Sequence, residues 1–206
     1  MKVLMLNGSP KTNGCTYTAL TEIEKRLESH GVETELFQIG TQPVAGCIAC
    51  GVCKGSASCI FDDKVNEFVA KMREADGMII GSPVYYASAS GQVTAFLDRA
   101  FYVGGSYMDG KPGAALVSCR RGGASAAFDQ LNKYFSISNM PIVTSNYWNQ
   151  VHGNTPEEVM QDEEGMQTLR ILADNMAWLL QCIEAGKKSG ICVPNRETKI
   201  RTNFIR

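Results

Sequence analysis

Apolar positions in this chain recur in two alternating rhythms. Short runs rich in aliphatic and β-branched residues are followed by longer segments in which apolar residues return every three or four positions, the pattern of βαβ units stacked into a parallel sheet. Five such units are predicted. The first strand covers Lys2 to Asn7, and its helix starts near Gly14 or Cys15, places Leu20, Ile23 and Leu27 on one face and ends at His30-Gly31. Val32 to Ile39 alternates as a second strand, and Asp62-Asp63 caps a helix carrying Val65, Phe68, Val69 and Met72. Gly77 to Gly81 is a third strand, stopped by Ser82-Pro83. A helix from about Ser90 buries Val93, Phe96, Leu97 and Ala100, and Ala114 to Cys119 is a fourth strand. After a glycine-paired loop at Arg120 to Ala124 come a helix over Ala126 to Ser136, a short fifth strand at Pro141 to Ser145, and a long last helix from Pro156 to Gly186.

Two segments stand apart from this rhythm. Thr41 to Phe61 is a loop rich in cysteine and glycine, longer than usual connections in such folds, and long loops in compact domains tend to be functional. The polar, basic tail from Val193 to Arg206 has no clear element and is expected to pack over a neighbouring element or another subunit. The 206 residues, 44% of them hydrophobic, suffice for one core, so a single domain over 1–206 is expected. Twenty basic and twenty-one acidic residues leave a formal charge of -1, which provides no bulk field for nucleic acid or an anionic membrane. The opening apolar run is too short for a signal peptide and no later one matches a bilayer span, so the expected location is cytoplasmic.

Strand one runs into Gly8-Ser9-Pro10-Lys11-Thr12-Asn13-Gly14-Cys15-Thr16 and then into a helix. Free N–H groups at a helix N-terminus suit an anion, with Ser9, Asn13 and Thr16 as side-chain donors and Lys11 as a charge. Neither the dinucleotide fingerprint nor the P-loop is present, so a single terminal phosphate fits better. The competing reading is an ordinary βα turn built from turn-forming residues. Position favours the ligand, because open parallel sheets bind outside the carboxyl ends of their strands.

Gly8-Ser9-Pro10-Lys11, Gly81-Ser82-Pro83-Val84-Tyr85-Tyr86 and Phe96-Leu97-Asp98-Arg99-Ala100 together resemble the NADPH-dependent FMN reductase group of the flavodoxin superfamily, over Met1 to about Gln150. The resemblance implies a flavodoxin-like, doubly wound sheet of five parallel strands in the order 2-1-3-4-5, between helices on both faces. It implies that Ser9, Lys11, Asn13 and Thr16, with Gly14 and Cys15 at the helix start, hold the FMN phosphate. Cys15 stands where the group often carries Asn. Pro83, Val84, Tyr85 and Tyr86 would line the isoalloxazine, and Cys119, Arg120, Gly122 and Gly123 would belong to a third cofactor loop. Read without the family, Ser82 to Ser90 still suits a flat aromatic cofactor, with packing aromatics as the competing reading of the two tyrosines, whereas adjacent arginines such as Arg120 and Arg121 are more often solvated; the paired glycines suit close backbone approach to a ring.

Cys47-x2-Cys50-x2-Cys53-x5-Cys59 places four soft ligands close together. Its rhythm favours a [4Fe-4S] cluster over zinc, with plain thiols as a third reading. Within the resembling group this loop matches the iron-sulfur flavoproteins, which implies that all four cysteines ligate a cluster exchanging electrons with the flavin, in a homodimer or homotetramer. Cys15, Cys119, Cys182 and Cys192 are isolated and read as small buried hydrophobes. His30 and His152 are the only histidines, and the carboxylate pairs at 62–63, 157–158 and 163–164 fit helix starts or solvated faces, so acid/base hydrolysis has little support. Tyr147, Trp148 and His152 suit either a substrate lid or a dimer contact.

The expected function is FMN-dependent oxidoreduction, with NAD(P)H as transient co-substrate and a quinone, nitro, azo or electron-carrier acceptor. Two alternatives stay open: an electron-transfer flavoprotein serving a partner such as ferredoxin, and a cysteine-based redox or metal sensor.

Overall fold

A computed structural model describes residues 1–202 and 204. Its elements are β1 (Lys2–Asn7), α1 (Cys15–Ser29), β2 (Glu33–Gln38), α2 (Cys53–Ser56), α3 (Lys64–Glu74), β3 (Gly77–Tyr85), β4 (Ser88–Ala89), α4 (Gly91–Gly104), β5 (Gly113–Cys119), α5 (Ala124–Ile137), β6 (Gln150–His152), α6 (Pro156–Gln161) and α7 (Glu163–Lys188), with a 3₁₀ turn at Gly105–Met108. The parallel strands lie in the order β2-β1-β3-β5-β6, while the two-residue β4 folds back antiparallel on β3. Setting β4 aside, this is the expected 2-1-3-4-5 order.

Strand alternation builds a core on each face of the sheet. Leu4, Leu6, Met78, Ile80, Ala115 and Val117 join the side packed by α3, α4 and α5. Val3, Met5, Ile79, Ala114 and Leu116 join the side packed by α1 and α7. The first side is anchored by Phe37, Phe68 and Phe96, whose ring centroids lie 5.1 to 6.1 Å apart. The N-caps follow sequence chemistry: Asp63 accepts from Val65 N–H at the start of α3, and Ser90 from Val93 N–H at the start of α4. No helix among the described residues is long and apolar enough to cross a membrane.

Three expected boundaries are corrected. The third strand does not stop at Gly81 but continues through Ser82-Pro83, paired to β5, and on to Tyr85, where Val84 and Tyr85 pair with β4. Its other neighbour, β1, ends at Asn7 opposite Gly81. Beyond that point the strand is an edge on one side, where a proline is tolerated. The fifth parallel strand is Gln150–His152, not Pro141 to Ser145, which makes only the isolated bridge Gly113↔Ile142. The chain leaves the sheet after Val143, and the buried Asn149 returns it by donating its Nδ2 to the Ala115 carbonyl at 2.9 Å. The last helix divides at Asp162, whose Oδ1 caps α7 at Gly165 N–H (3.0 Å) while Oδ2 accepts from His152 N–H (2.6 Å). α7 then runs past Gly186 to Lys188.

Of the basic tail, Asn203, Ile205 and Arg206 lie outside the described residues. The rest is exposed and lacks regular structure, but Arg196 pairs with Asp109 (2.6 Å) and Val193 packs on Gly110, which lays its start over the turn before β5.

The carboxyl ends of β1 and β3 are joined by Gly8 N–H donating to the Gly81 carbonyl at 2.8 Å. A Cβ on Gly8 would press on Val93 and lie 2.7 Å from the Gly81 oxygen, inside van der Waals contact with backbone. Gly8→Ala is therefore expected to cost about 1–3 kcal/mol, typical of overpacking, read as a lower urea midpoint at unchanged m value.

Candidate functional site

Three loops meet where β1, β3 and β5 end. The first runs from Gly8 to Gly14. Asn7 Oδ1 accepts from Ser9 N–H (3.1 Å), Ser9 Oγ from Lys11 N–H (3.2 Å), and Gln38 Nε2 donates to the Ser9 carbonyl (2.6 Å). Ser9 is thereby buried and its loop shaped from within. Lys11 and Asn13 point into solvent, and Gly14 caps α1 with no side chain on the first-turn amides. Those amides and the positive end of the α1 dipole are what the turn offers an anion. Thr16, by contrast, turns inward: it is buried, and its hydroxyl lies 2.9 Å from Ser118 Oγ. Its side chain braces α1 against β5, so only its backbone N–H faces outward chemistry. Cys15 is half-buried, directs its sulfur to the Gly153 carbonyl at 3.8 Å, and has its thiol pKa pushed up, mainly by burial.

The second loop is the hairpin between β3 and β4. Pro83 and Val84 are half-buried, and Tyr85 and Tyr86 project into solvent. Tyr86 and Ala87 both adopt left-handed φ values, 50° and 58°, in a two-residue turn where Asn-Gly is usual. Such backbone in ordinary residues costs energy and concentrates at ligand sites.

The third loop follows β5. Arg120, Arg121 and Gly122 are exposed. Gly123, at φ 93°, lets this loop touch the hairpin, since a Cβ there would lie 2.6 Å from Ala87 Cα and 3.1 Å from Val84 Cγ1. Cys119 is buried with its sulfur 3.4 Å from His152 Nδ1, and burial raises its pKa. A protonated, enclosed thiol is a packing group rather than a nucleophile. The structure thus brings the predicted residues of the three loops to one edge of the sheet, but turns Cys15, Thr16 and Cys119 into its support. Tyr147 and Trp148, rings 4.9 Å apart, stand half-exposed on the excursion between Val143 and Asn149 and line a depression with His152 and Asp162.

The cysteine loop lies across the outer part of α4. Cys47, Cys50, Cys53 and Cys59 are all free thiols, and all line one cavity of about 190 Å³ with Ile60, Phe61, Tyr102 and Val103. Among the described residues, no three Cys, His, Asp or Glu side chains are gathered tightly enough to hold a single metal ion. The cavity also receives Arg99, whose Nε donates to Cys59 Sγ at 3.2 Å while Asp63 takes Nη1 and Nη2 at 2.7 and 2.9 Å. Burial opposes the guanidinium charge, but the bonds to Asp63 and Cys59 outweigh it and raise its pKa. Arg99 and Asp63 had no site role in the sequence reading. The available signal was a cation placed three residues after Phe96, inside the apolar stripe of α4.

The NADPH-dependent FMN reductase family pattern matches residues 1–155. An iron-sulfur flavoprotein from Methanocaldococcus jannaschii is 32% identical over 192 residues, covering 89% of this chain and 100% of the relative. An iron-sulfur flavoprotein from Methanosarcina thermophila is 32% identical over 193 residues, covering 91% and 99%. In three dimensions the chain is similar to RosB, solved with bound 8-demethyl-8-formylriboflavin-5'-phosphate, at a TM-score of 0.71 and 16% identity, covering 100% of this chain and 92% of that one.

The contact between the second and third loops generates a paired test. Gly123→Ala is expected to destabilise by roughly 2 kcal/mol, combining left-handed strain with collision against Ala87. Gly122→Ala, whose Cβ would meet open space, is expected to leave the thermal midpoint within about 1 °C of the parent, as surface substitutions usually do.

Proposed function

Because this chain belongs to the NADPH-dependent FMN reductase family, we propose that it is an FMN-dependent oxidoreductase that binds its flavin at the carboxyl ends of β1, β3 and β5. The observation that carries this reading is the meeting of three loops at that edge, joined by the Gly8–Gly81 and Gly123–Ala87 approaches, all inside the matched residues. Backbone N–H groups from Thr12 to Thr16 and the Lys11 ammonium hold the phosphate, while the Ser9 and Lys11 amides are spent on Asn7 Oδ1 and Ser9 Oγ and shape the turn. Pro83, Val84, Tyr85 and Tyr86 flank the ring, the two tyrosines offering aromatic surface to its face. The Arg120–Gly123 backbone closes its polar edge, and Arg120 or Arg121 meets the nicotinamide phosphates. Bound FMN supplies hydride acceptance and storage of one or two electrons, which is why no acid/base triad is required. The acceptor is a quinone, nitro, azo or similar small molecule reaching the ring past Tyr86.

The cysteine loop fits a [4Fe-4S] cluster. Four unpaired thiols line one cavity, its walls are largely apolar, and a buried guanidinium offsets part of their charge. A cubane spreads its thiolates over its corners, so it does not require the tight gathering that a single zinc ion does. The names of the two archaeal relatives agree with this assignment. A second reading, an electron-transfer flavoprotein serving a protein partner such as ferredoxin, draws support from Ile48, Val52 and Ile60, which are exposed around the cysteines. Exposed Tyr147, Trp148 and Trp178 are the surface on which a homodimer or homotetramer would form.

Protein purified without oxygen is expected to show flavin absorption bleached by NADPH; no flavin bands left on the protein after incubation with FMN and removal of the unbound flavin would overturn the reading. Ser9→Glu sets a carboxylate against the phosphate and is expected to weaken FMN binding at least tenfold, measured by flavin fluorescence quenching. Unchanged affinity in a folded variant would remove Ser9 from the site.

A further inference from the structure

Arg99 occupies the middle of the buried face of α4 and is 2% exposed. A guanidinium in such surroundings is costly unless its donors are paired, and here the pairing is directional. Nη1 donates to Asp63 Oδ2 (2.7 Å) and to the Ala45 carbonyl (3.2 Å), and Nη2 donates to Asp63 Oδ1 (2.9 Å). Nε donates to Cys59 Sγ (3.2 Å), and the guanidinium carbon lies 4.7 Å from the Phe61 ring centroid. One side chain therefore grips both ends of the cysteine loop, at Ala45 before the first cysteine and at Cys59, the last. Asp63 cannot drift away, because the same carboxylate caps α3 at Val65 N–H (3.1 Å).

A structural brace would need only the Asp63 pair. The Nε–H bond to a sulfur is additional, and the most consequential place for a charged donor in a thiolate site is on a ligand atom. We propose that Arg99 tunes the redox potential of the centre bound by this loop, through the Cys59 sulfur. This rests on the cluster assignment made above. The step concerned is the entry of one electron, from [4Fe-4S]²⁺ to [4Fe-4S]⁺, supplied by the reduced flavin in the protein and by dithionite in a titration; no bond or proton need move. Electron entry makes the thiolate set more negative, so an N–H donor and a nearby cation favour the reduced form. Arg99 raises the potential, and Asp63 moderates it by drawing on the same charge. Arg99 is thus a positioning residue acting through Cys59, not a catalytic one.

The test uses holoprotein prepared without oxygen, with iron and sulfide assayed, and potentials followed by electron paramagnetic resonance for the cluster and by absorbance for the flavin. Arg99→Lys keeps a cation but loses the Nε fork, and is expected to lower the equilibrium constant for cluster reduction about tenfold, 59 mV for one electron. Asp63→Asn retains a competent helix cap while freeing the guanidinium, and is expected to move the potential the opposite way. The flavin potentials are expected to stay at wild-type values in both. Wild-type cluster potentials in both variants at full iron content would reduce Arg99 to a brace and overturn the proposal. Where Arg99→Lys fails to retain iron, Asp63→Asn decides, a rise supporting the proposal and no change overturning it. Wild-type protein with flavin bands but no iron or sulfide would instead overturn the cluster assignment, and this inference with it.

Discussion

The approach of Gly8 to Gly81 is the constraint on which the site depends. β1 and β3 lie side by side in the sheet, but their helices pack on opposite faces, α1 on one and α4 on the other. The chain therefore diverges where these two strands end, leaving a crevice at the switch point of the sheet. One backbone hydrogen bond at 2.8 Å holds the mouth of that crevice together, and only a residue without a side chain fits it. Ser90 reinforces the joint: its N–H donates to Ser82 Oγ and its own hydroxyl reaches the Gly8 carbonyl. The first-turn amides of α1 and the β3–β4 hairpin are both positioned by this joint.

α4 carries the consequence outward. It is capped by Ser90, beside the turn after β1, and nine residues later presents Arg99 to the cysteine cavity. At 1.5 Å rise per residue the two positions are roughly 14 Å apart along one rigid element. Gln92, near the start of the same helix, donates to the carbonyls of Gly40 and Gln42 and so fixes the entry to the cysteine loop. A single helix thus sets the geometry of the three-loop edge and of the thiol cavity.

How much of this was legible in the sequence follows from where the physics is local. The apolar run of Lys2 to Asn7, the Asp63 cap and the helix start at about Ser90 are short-range patterns, and all agree with the structure. The fifth strand was misplaced because Pro141 to Val143 is apolar and looks like a strand, whereas the pairing register is set by Asn149 donating across the sheet to Ala115, a contact between distant segments. A proline at Pro156 and a glycine at Gly186 mark one long last helix in the sequence; the break comes from the Asp162 carboxylate capping α7 and accepting from β6. Residue type and the family resemblance both point the Thr16 hydroxyl to the phosphate, although its place four residues before Leu20 puts it on the buried stripe of α1, where Ser118 receives it. Arg99 sat in view inside an apolar stripe, but its partners Asp63 and Cys59 are 36 and 40 residues away in sequence.

The central claim is that the turn after β1 binds FMN through its phosphate. A crystal structure of the protein grown with FMN tests it most directly. The account predicts phosphate density against the backbone amides of residues 12–16, with the ring between the Pro83–Tyr86 hairpin and the Arg120–Gly123 loop. An empty turn, with the flavin bound elsewhere on the protein, would contradict it.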